Sequence, residues 1–322
     1  MQRLIVRRVL QFIPVILLST MLVFTVVRLA PGDPAAAQFG PRASDARYAE
    51  AVEAYRRKLG LDKPIPVQYV LWLKQVVQLD FGESIRSEQP VSEVILEKLP
   101  ATLQLMFAGI FFGLVLGVPL AIVAARNRDS PINSVANVIS VIGMAIPGFW
   151  LGMLLIWVFA LQLKVLPASG YTPFLEDPVD NLRKLILPAI TLGVYELALV
   201  TRFLRAEMVE VLNSDYIRTA RAKGMRERLV MWRHALKNAM IPLVTIMALE
   251  IGYLLGGVVV VEQVFGWPGI GWLVFQAISN RDYPIIQGVV ILIAVGYSLS
   301  NLCADIIYGY LDPRIHYDSH SG

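Results

Sequence analysis

Long apolar stretches, separated by short charged ones, dominate the chain. Hydropathy places six of them at 9–29, 101–125, 136–163, 185–203, 241–261 and 285–310. Each is close to or above the ~20 residues that carry a helix across a bilayer. The expected fold class is therefore an all-α polytopic membrane protein with about six transmembrane helices. The stretch 31–100 has a different texture. Residues 44–59 show helical spacing with mixed charge and end at Gly60; Pro64 and Pro66 interrupt, and 68–79 forms a second amphipathic pattern. This predicts a small extracytoplasmic cap after the first helix. The basic start, the apolar run and Ala35-Ala36-Ala37 imitate a signal peptide. The apolar run is longer than a signal's core, which favours a retained first helix.

Composition agrees. Hydrophobic residues make up 56% and charged ones 17%, against about 25% charged in an ordinary soluble domain. A net charge of +4, scattered along the chain, gives no case for nucleic acid. Its distribution instead reports orientation. Arg3, Arg7 and Arg8 precede the first span, and Arg126 and Arg128 follow the second. Arg205, Arg218, Arg221, Lys223, Arg226, Arg228, Arg233 and Lys237 lie between the fourth and fifth. With six spans these groups share one side, the cytoplasm by the positive-inside rule, and both termini are cytoplasmic. The single cysteine, Cys303, cannot form an intrachain disulfide and reads as a small buried residue.

Catalytic chemistry is not legible. There is no phosphate loop, and His234, His316 and His320 lack metal-site spacing. No catalytic, cofactor-binding or metal residue is expected. Gly252, Gly256 and Gly257 suit close helix packing. Glu196 and Glu250 fall inside spans, where a charge is costly. Two readings stand: they line a solute path and favour a cationic group such as a peptide amino terminus, or they pair with Arg202 or Arg205 or are protonated. Tyr253 and Pro147 are further path candidates, Pro147 as a kink in the third span. Trp150, Trp267 and Trp272 read as membrane-interface anchors.

The segment SDYIRTARAKGMRERLVMWRHALKNAMIP, from Ser214 to Pro242, carries the most information. Ser214 or Asp215 can cap a short helix, and Gly224 can end it in the left-handed conformation. A second helix over 226–237 leads into the fifth span. The first is too short to be stable alone. Ala220, Ala222 and Gly224 permit close approach, and Tyr216 and Ile217 offer apolar anchors. Spacing alone allows a plug for a cytoplasmic partner or a basic helix lying on anionic lipid.

YIRTARAKG followed by RHALKNAMIP resembles the coupling loop of ATP-binding-cassette (ABC) importer permeases, in the form of the dipeptide, oligopeptide and nickel family. The general motif begins Glu-Ala-Ala; here Arg218, Thr219 and Ala220 hold those places and the leading Glu is absent, as is usual in the peptide branch. Pro31-Gly32-Asp33-Pro34, Leu59-Gly60-Leu61-Asp62-Lys63-Pro64 and Asp80-Phe81-Gly82-Glu83-Ser84 are similar to the same family. So are Pro147-Gly148-Phe149-Trp150, Phe265-Gly266-Trp267-Pro268-Gly269, Arg281-Asp282-Tyr283-Pro284 and Asp312-Pro313-Arg314.

The resemblance, closest to the B-type subunit, implies a type I importer permease fold divided as 1–30, a cap at 31–100 and a core at 101–322 with its coupling loop at 214–240. It implies a non-catalytic subunit of a bacterial or archaeal cytoplasmic membrane, forming half of a pore for di- or oligopeptides. It implies as partners a second homologous permease (C-type), two ATPase subunits that bind ATP and Mg, and an extracytoplasmic solute-binding protein. Coupling to the ATPase would fall on Asp215, Tyr216, Ile217, Arg218, Thr219, Ala220, Arg221, Ala222, Lys223 and Gly224. The rival reading is an ion-coupled secondary transporter using the intramembrane acids; the absence of an inverted repeat counts against it.

Overall fold

The computed structural model describes residues 2–29, 39, 44–58, 60–127 and 129–311. Pro31–Pro34, Ala35–Ala37, Leu59, Arg128, Asp312–Arg314, His316 and His320 lie outside the described residues. Among those described there is no strand, only an isolated antiparallel bridge between Glu83 and Pro90. The helices are α1 (Gln2–Leu29), α2 (Ala49–Lys58), α3 (Ile65–Val77), α4 (Val91–Arg126), α5 (Pro131–Ala145), α6 (Gly148–Leu155) and α7 (Pro178–Leu212). They continue as α8 (Asp215–Ala222), α9 (Glu227–Leu229), α10 (Lys237–Gly257), α11 (Val259–Phe265), α12 (Ile270–Asn280) and α13 (Tyr283–Leu311). π-helical turns extend α6 over Ile156–Gln162 and join α9 to α10 over Val230–Leu236.

α4 and α7 form the spine. Pro178 at the first position suits a helix start, where no N–H is needed. The Asp177 carboxylate accepts from the Val179 and Asp180 amides there. α4 begins at residue 91 rather than 101, because Pro100 is absorbed inside it. At ~1.5 Å per residue its 36 residues reach about 54 Å, well beyond a hydrocarbon core of about 30 Å.

The two helices run parallel. Gly109, Gly113 and Gly117 of α4 meet Leu192, Glu196 and Val200 of α7, each step of four matched by a step of four. Gly193 of α7 in turn receives Phe112 of α4. Small residues four apart let backbones approach closely, the usual solution where lipid removes the hydrophobic drive for helix pairing.

A parallel pair forces the chain between to return across the membrane. α5 and α6 supply that return, not as one span kinked at Pro147 as expected but as two helices meeting at 102°. Pro147 cannot donate to the ladder and pushes Ile146 into extended backbone (φ −71°, ψ 124°), which stops α5. Among the described residues five helices are long and apolar enough to cross, and six if the bent pair is one span. The fifth span ends earlier than expected, at Gly257, and α11 follows as a separate short helix.

Candidate coupling segment and translocation cavity

α8 is amphipathic, and its two faces have different duties. Ile217 and Ala220, three positions apart, are buried in the protein's own core. Asp215, Arg218, Thr219, Arg221, Ala222, Lys223 and Gly224 are exposed. The expectation that Ile217 and Ala220 reach out to a partner is therefore corrected: they seat α8 on its own chain. Tyr216 is exposed as well, its hydroxyl accepting from Asn238 Nδ2 at 2.8 Å. The Ser214 hydroxyl does not cap the helix; it donates to Val211 O at 2.6 Å.

Gly224 ends the segment with φ +75°. A Cβ there would meet nothing within 4 Å, so the left-handed backbone, not crowding, selects glycine. Its amide bonds to Arg221 O at 2.9 Å. The Arg221 guanidinium then pairs with the Glu227 carboxylate at 2.7 Å, tying the end of α8 to α9. The expected helix over 226–237 is a single α-turn followed by π-helix, a register change that periodicity does not reveal.

A cavity of about 260 Å³ opens where the α5–α6 break faces α7, α10 and α11. Phe149, Thr191, Tyr195, Tyr253 and Val260 line it, and Pro147 sits between the lining residues Ile146 and Gly148. Glu196 is not among the lining side chains. It is fully buried on the α4 side of α7, with no partner for either carboxylate oxygen among the described residues. Neither expected arginine reaches it: Arg205 Nε donates to Asn133 Oδ1 at 2.7 Å, and Arg202 approaches the Met144 sulfur. The pairing reading of Glu196 is thus overturned. Glu250 is half-buried, and its Oε2 also lacks a hydrogen-bond partner among the described residues. Among the described residues no cluster of His, Cys, Asp and Glu can hold a metal.

Residues 117–317 match the family described as the binding-protein-dependent transport system inner membrane component, and residues 1–106 match its N-terminal family. The chain belongs to this family. The oligopeptide transport system permease protein AppB of Bacillus subtilis (strain 168) is 42% identical over 97% of this chain and 99% of its own. The glutathione transport system permease protein GsiC of Salmonella choleraesuis (strain SC-B67) is 41% identical, covering 97% of this chain and 98% of its own. The inward-facing methionine ABC transporter MetNI has the same fold, with a TM-score of 0.55 and 18% identity over 69% of this chain and 97% of that one. The type I importer permease fold and the multi-pass membrane character follow, and the ion-coupled secondary transporter reading is set aside.

In this permease, motifs distant in sequence meet at one end of the helices. Ser84 Oγ donates to Asp282 Oδ2 at 2.5 Å, and the Ile85 amide donates to Asp282 Oδ1 at 3.2 Å. Arg86 and Asn280 bond beside them. Trp267, expected as an interface anchor, is fully buried; its indole N–H donates to Ala101 O at 2.8 Å, and its ring meets Tyr171 edge-on at 4.8 Å. Cys303, expected buried, is exposed.

Sequence reasoning missed the residue that ties this corner together. The Glu262 carboxylate accepts from Thr102 Oγ1 at 2.6 Å and from the Trp272 amide at 2.8 Å. Thr102 Oγ1 itself accepts from the Ile270 amide at 2.7 Å. Burial pushes Glu262 up to about 7, against the pull of the Thr102 hydroxyl and the Trp272 and Gly271 amides. The available signal was an acid just before Phe265-Gly266-Trp267-Pro268-Gly269, placed to meet the amino end of the next helix. The glycines Gly109, Gly113 and Gly117 were equally readable as a four-residue repeat.

Proposed function

We propose that this permease subunit forms half of the translocation pathway for a peptide-class solute and receives the motion of a cytoplasmic ATPase through α8. The observation that carries the reading is the division of α8: Ile217 and Ala220 fasten it to its own subunit, while its charged face stays exposed. A rigid lever needs both properties. Asp215, Tyr216, Arg218, Thr219, Arg221, Ala222, Lys223 and Gly224 form the partner-facing side, with Ile217 and Ala220 as its footing. ATP binding closes the ATPase pair, the segment turns with it, and the spanning helices open toward a loaded binding protein. Hydrolysis resets the pore. The chain contributes no bond-breaking chemistry; ATP and Mg reside on two ATPase subunits, and a second permease supplies the other half.

The peptide assignment rests on the oligopeptide and glutathione permeases to which the chain is similar. Within the pathway, Tyr253 and the Pro147 break shape the cavity, and neither Glu250 nor Glu196 is among its lining residues. The basic loops assign the α8 side to the cytoplasm, so both termini face it and the cap over 31–100 lies outside a bacterial or archaeal inner membrane.

Co-expression with the neighbouring transport genes, purification through a tag on this chain and an ATP hydrolysis assay test the proposal. A complex of two permeases and two ATPases, stimulated by peptide-loaded binding protein, is the expected result. Gly224→Asp strains the left-handed backbone and adds charge to the partner face, so it should release the ATPases. Normal assembly and normal stimulated hydrolysis in that variant would remove α8 as the lever.

A further inference from the structure

We propose that α3 is not part of a water-exposed cap but is sunk into the extracytoplasmic leaflet, its free face covered by phospholipid acyl chains. Depth is the first argument. The Tyr69 hydroxyl donates to Leu17 O at 3.2 Å and bonds to Thr20 Oγ1 at 3.0 Å. Leu17 lies inside the 10–29 span, about 18 Å inward of Leu29 at the helical rise of ~1.5 Å per residue. A tyrosine side chain covers only part of that depth, so the α3 backbone itself descends below the end of α1. Phe24 confirms the level, its ring lying 5.5 Å from Tyr69 and 5.4 Å from Trp72.

Composition along α3 is the second argument. From Ile65 to Leu73 only Gln68 is polar besides the tyrosine hydroxyl, and Gln68 is buried, its Nε2 donating to Lys63 O at 2.7 Å. The remaining polar residues, Lys74, Gln75 and Gln78, gather toward the carboxyl end. The side facing away from α1 is bare and mainly apolar, with Val70 62% and Val77 77% exposed and Lys74 between them. A hollow of about 360 Å³ between Val70, Leu73 and Val77 is bordered by Lys74 and Gln78. An apolar trough with an ammonium at its rim suits an acyl chain whose phosphate meets the lysine.

Continuity is the third. On α1 the contact row is Leu17, Thr20 and Phe24; the neighbouring positions Leu18 and Leu22 are 68% and 63% exposed. These belong to a spanning helix, so the α1 surface next to the α3 contact is itself bare and apolar. The proposal rests on the assigned orientation only for which leaflet is meant.

The test uses the assembled transporter in nanodiscs with Cys303→Ser. Val70→Cys and Val77→Cys are labelled with bimane, beside Leu22→Cys on α1 and Glu53→Cys on α2 as references. Brominated phosphatidylcholine should quench both α3 labels as strongly as the Leu22 label, while aqueous iodide should quench only the Glu53 label. Iodide quenching at Val70 and Val77 would return α3 to a solvated cap. Quenching by neither reagent would mean that a partner subunit covers the face, and would equally overturn the proposal. Either result leaves the coupling assignment intact, because α8 is read by ATPase binding.

Discussion

Gly113 of α4 lies directly against Glu196 of α7: a Cβ on the glycine would fall onto the Cβ and backbone of the glutamate. The contact is the centre of the parallel spine, with Gly109–Leu192 and Gly117–Val200 on either side. Overpacking a close contact costs about 1–3 kcal/mol, and backbone on both sides cannot yield as a flexible side chain can. Gly113→Leu should therefore lower the thermal midpoint of the detergent-purified permease and reduce its yield as an intact subunit. Gly256→Leu, where a Cβ meets only Ile293 at 3.8 Å, should do so far less. Scanning fluorimetry on the two variants checks the ordering.

The cavity bordered by Tyr195 and Tyr253 provides a second test. If Glu250 favours a cationic group in the pathway, Glu250→Gln should reduce uptake of peptides with a free amino terminus and spare amino-terminally acetylated ones. Basal ATPase activity should be unchanged, since Glu250 is not among the α8 residues proposed to face the ATPase. Equal uptake of both peptide forms by wild type and variant would end the path role for this residue.

Asp282 is 5% exposed and serves two donors at once, the Ser84 hydroxyl and the Ile85 amide. Removing an acceptor from buried donors costs about 1–3 kcal/mol for each group left unpaired. Asp282→Ala should loosen the turn over 83–90 from the start of α13 and open it to limited proteolysis. Asp282→Asn keeps one carbonyl oxygen and should be milder. Ser84→Ala keeps the Ile85–Asp282 bond but removes the hydroxyl that donates to Asp282 and accepts from the Arg86 and Ser87 amides, so it should also open the turn. Cleavage rates, followed by mass spectrometry, rank the four proteins.

The spans were legible because apolar length is a direct requirement of the bilayer, and the end of α8 at Gly224 because a left-handed backbone selects glycine. The Arg281-Asp282-Tyr283-Pro284 and Asp80-Phe81-Gly82-Glu83-Ser84 motifs were each visible, yet nothing in their spacing says that Ser84 meets Asp282 across almost two hundred residues. The 102° break was read only as a kink, because Pro147 announces a stop without an angle. Ile217 was assigned outward because an apolar residue on a short helix looks the same whether it seats its own chain or a partner. Trp267 was placed at the membrane surface by residue type; its neighbours Ala101 and Tyr171, which bury it, come from other parts of the chain.

Glu262 makes the outer corner sensitive to pH. Its carboxyl sits at about 7 in the folded protein against an ordinary 4.5, because burial outweighs its three donors. The folded state thus holds this proton more tightly than the unfolded chain does. The corresponding stability is fully present below about pH 4.5 and is lost as pH rises through about 7, a contribution on the order of 3 kcal/mol. The thermal midpoint of the wild-type permease should fall across that window relative to Glu262→Gln, whose amide can donate to Thr102 Oγ1 and accept from the Trp272 amide without titrating. Thr102→Val removes a donor that favours the ionised form, so its midpoint should fall at a higher pH than that of wild type. Thermal midpoints of the three proteins between pH 4.5 and 8 decide the matter: parallel curves for wild type and Glu262→Gln would mean that the carboxyl does not titrate in this range.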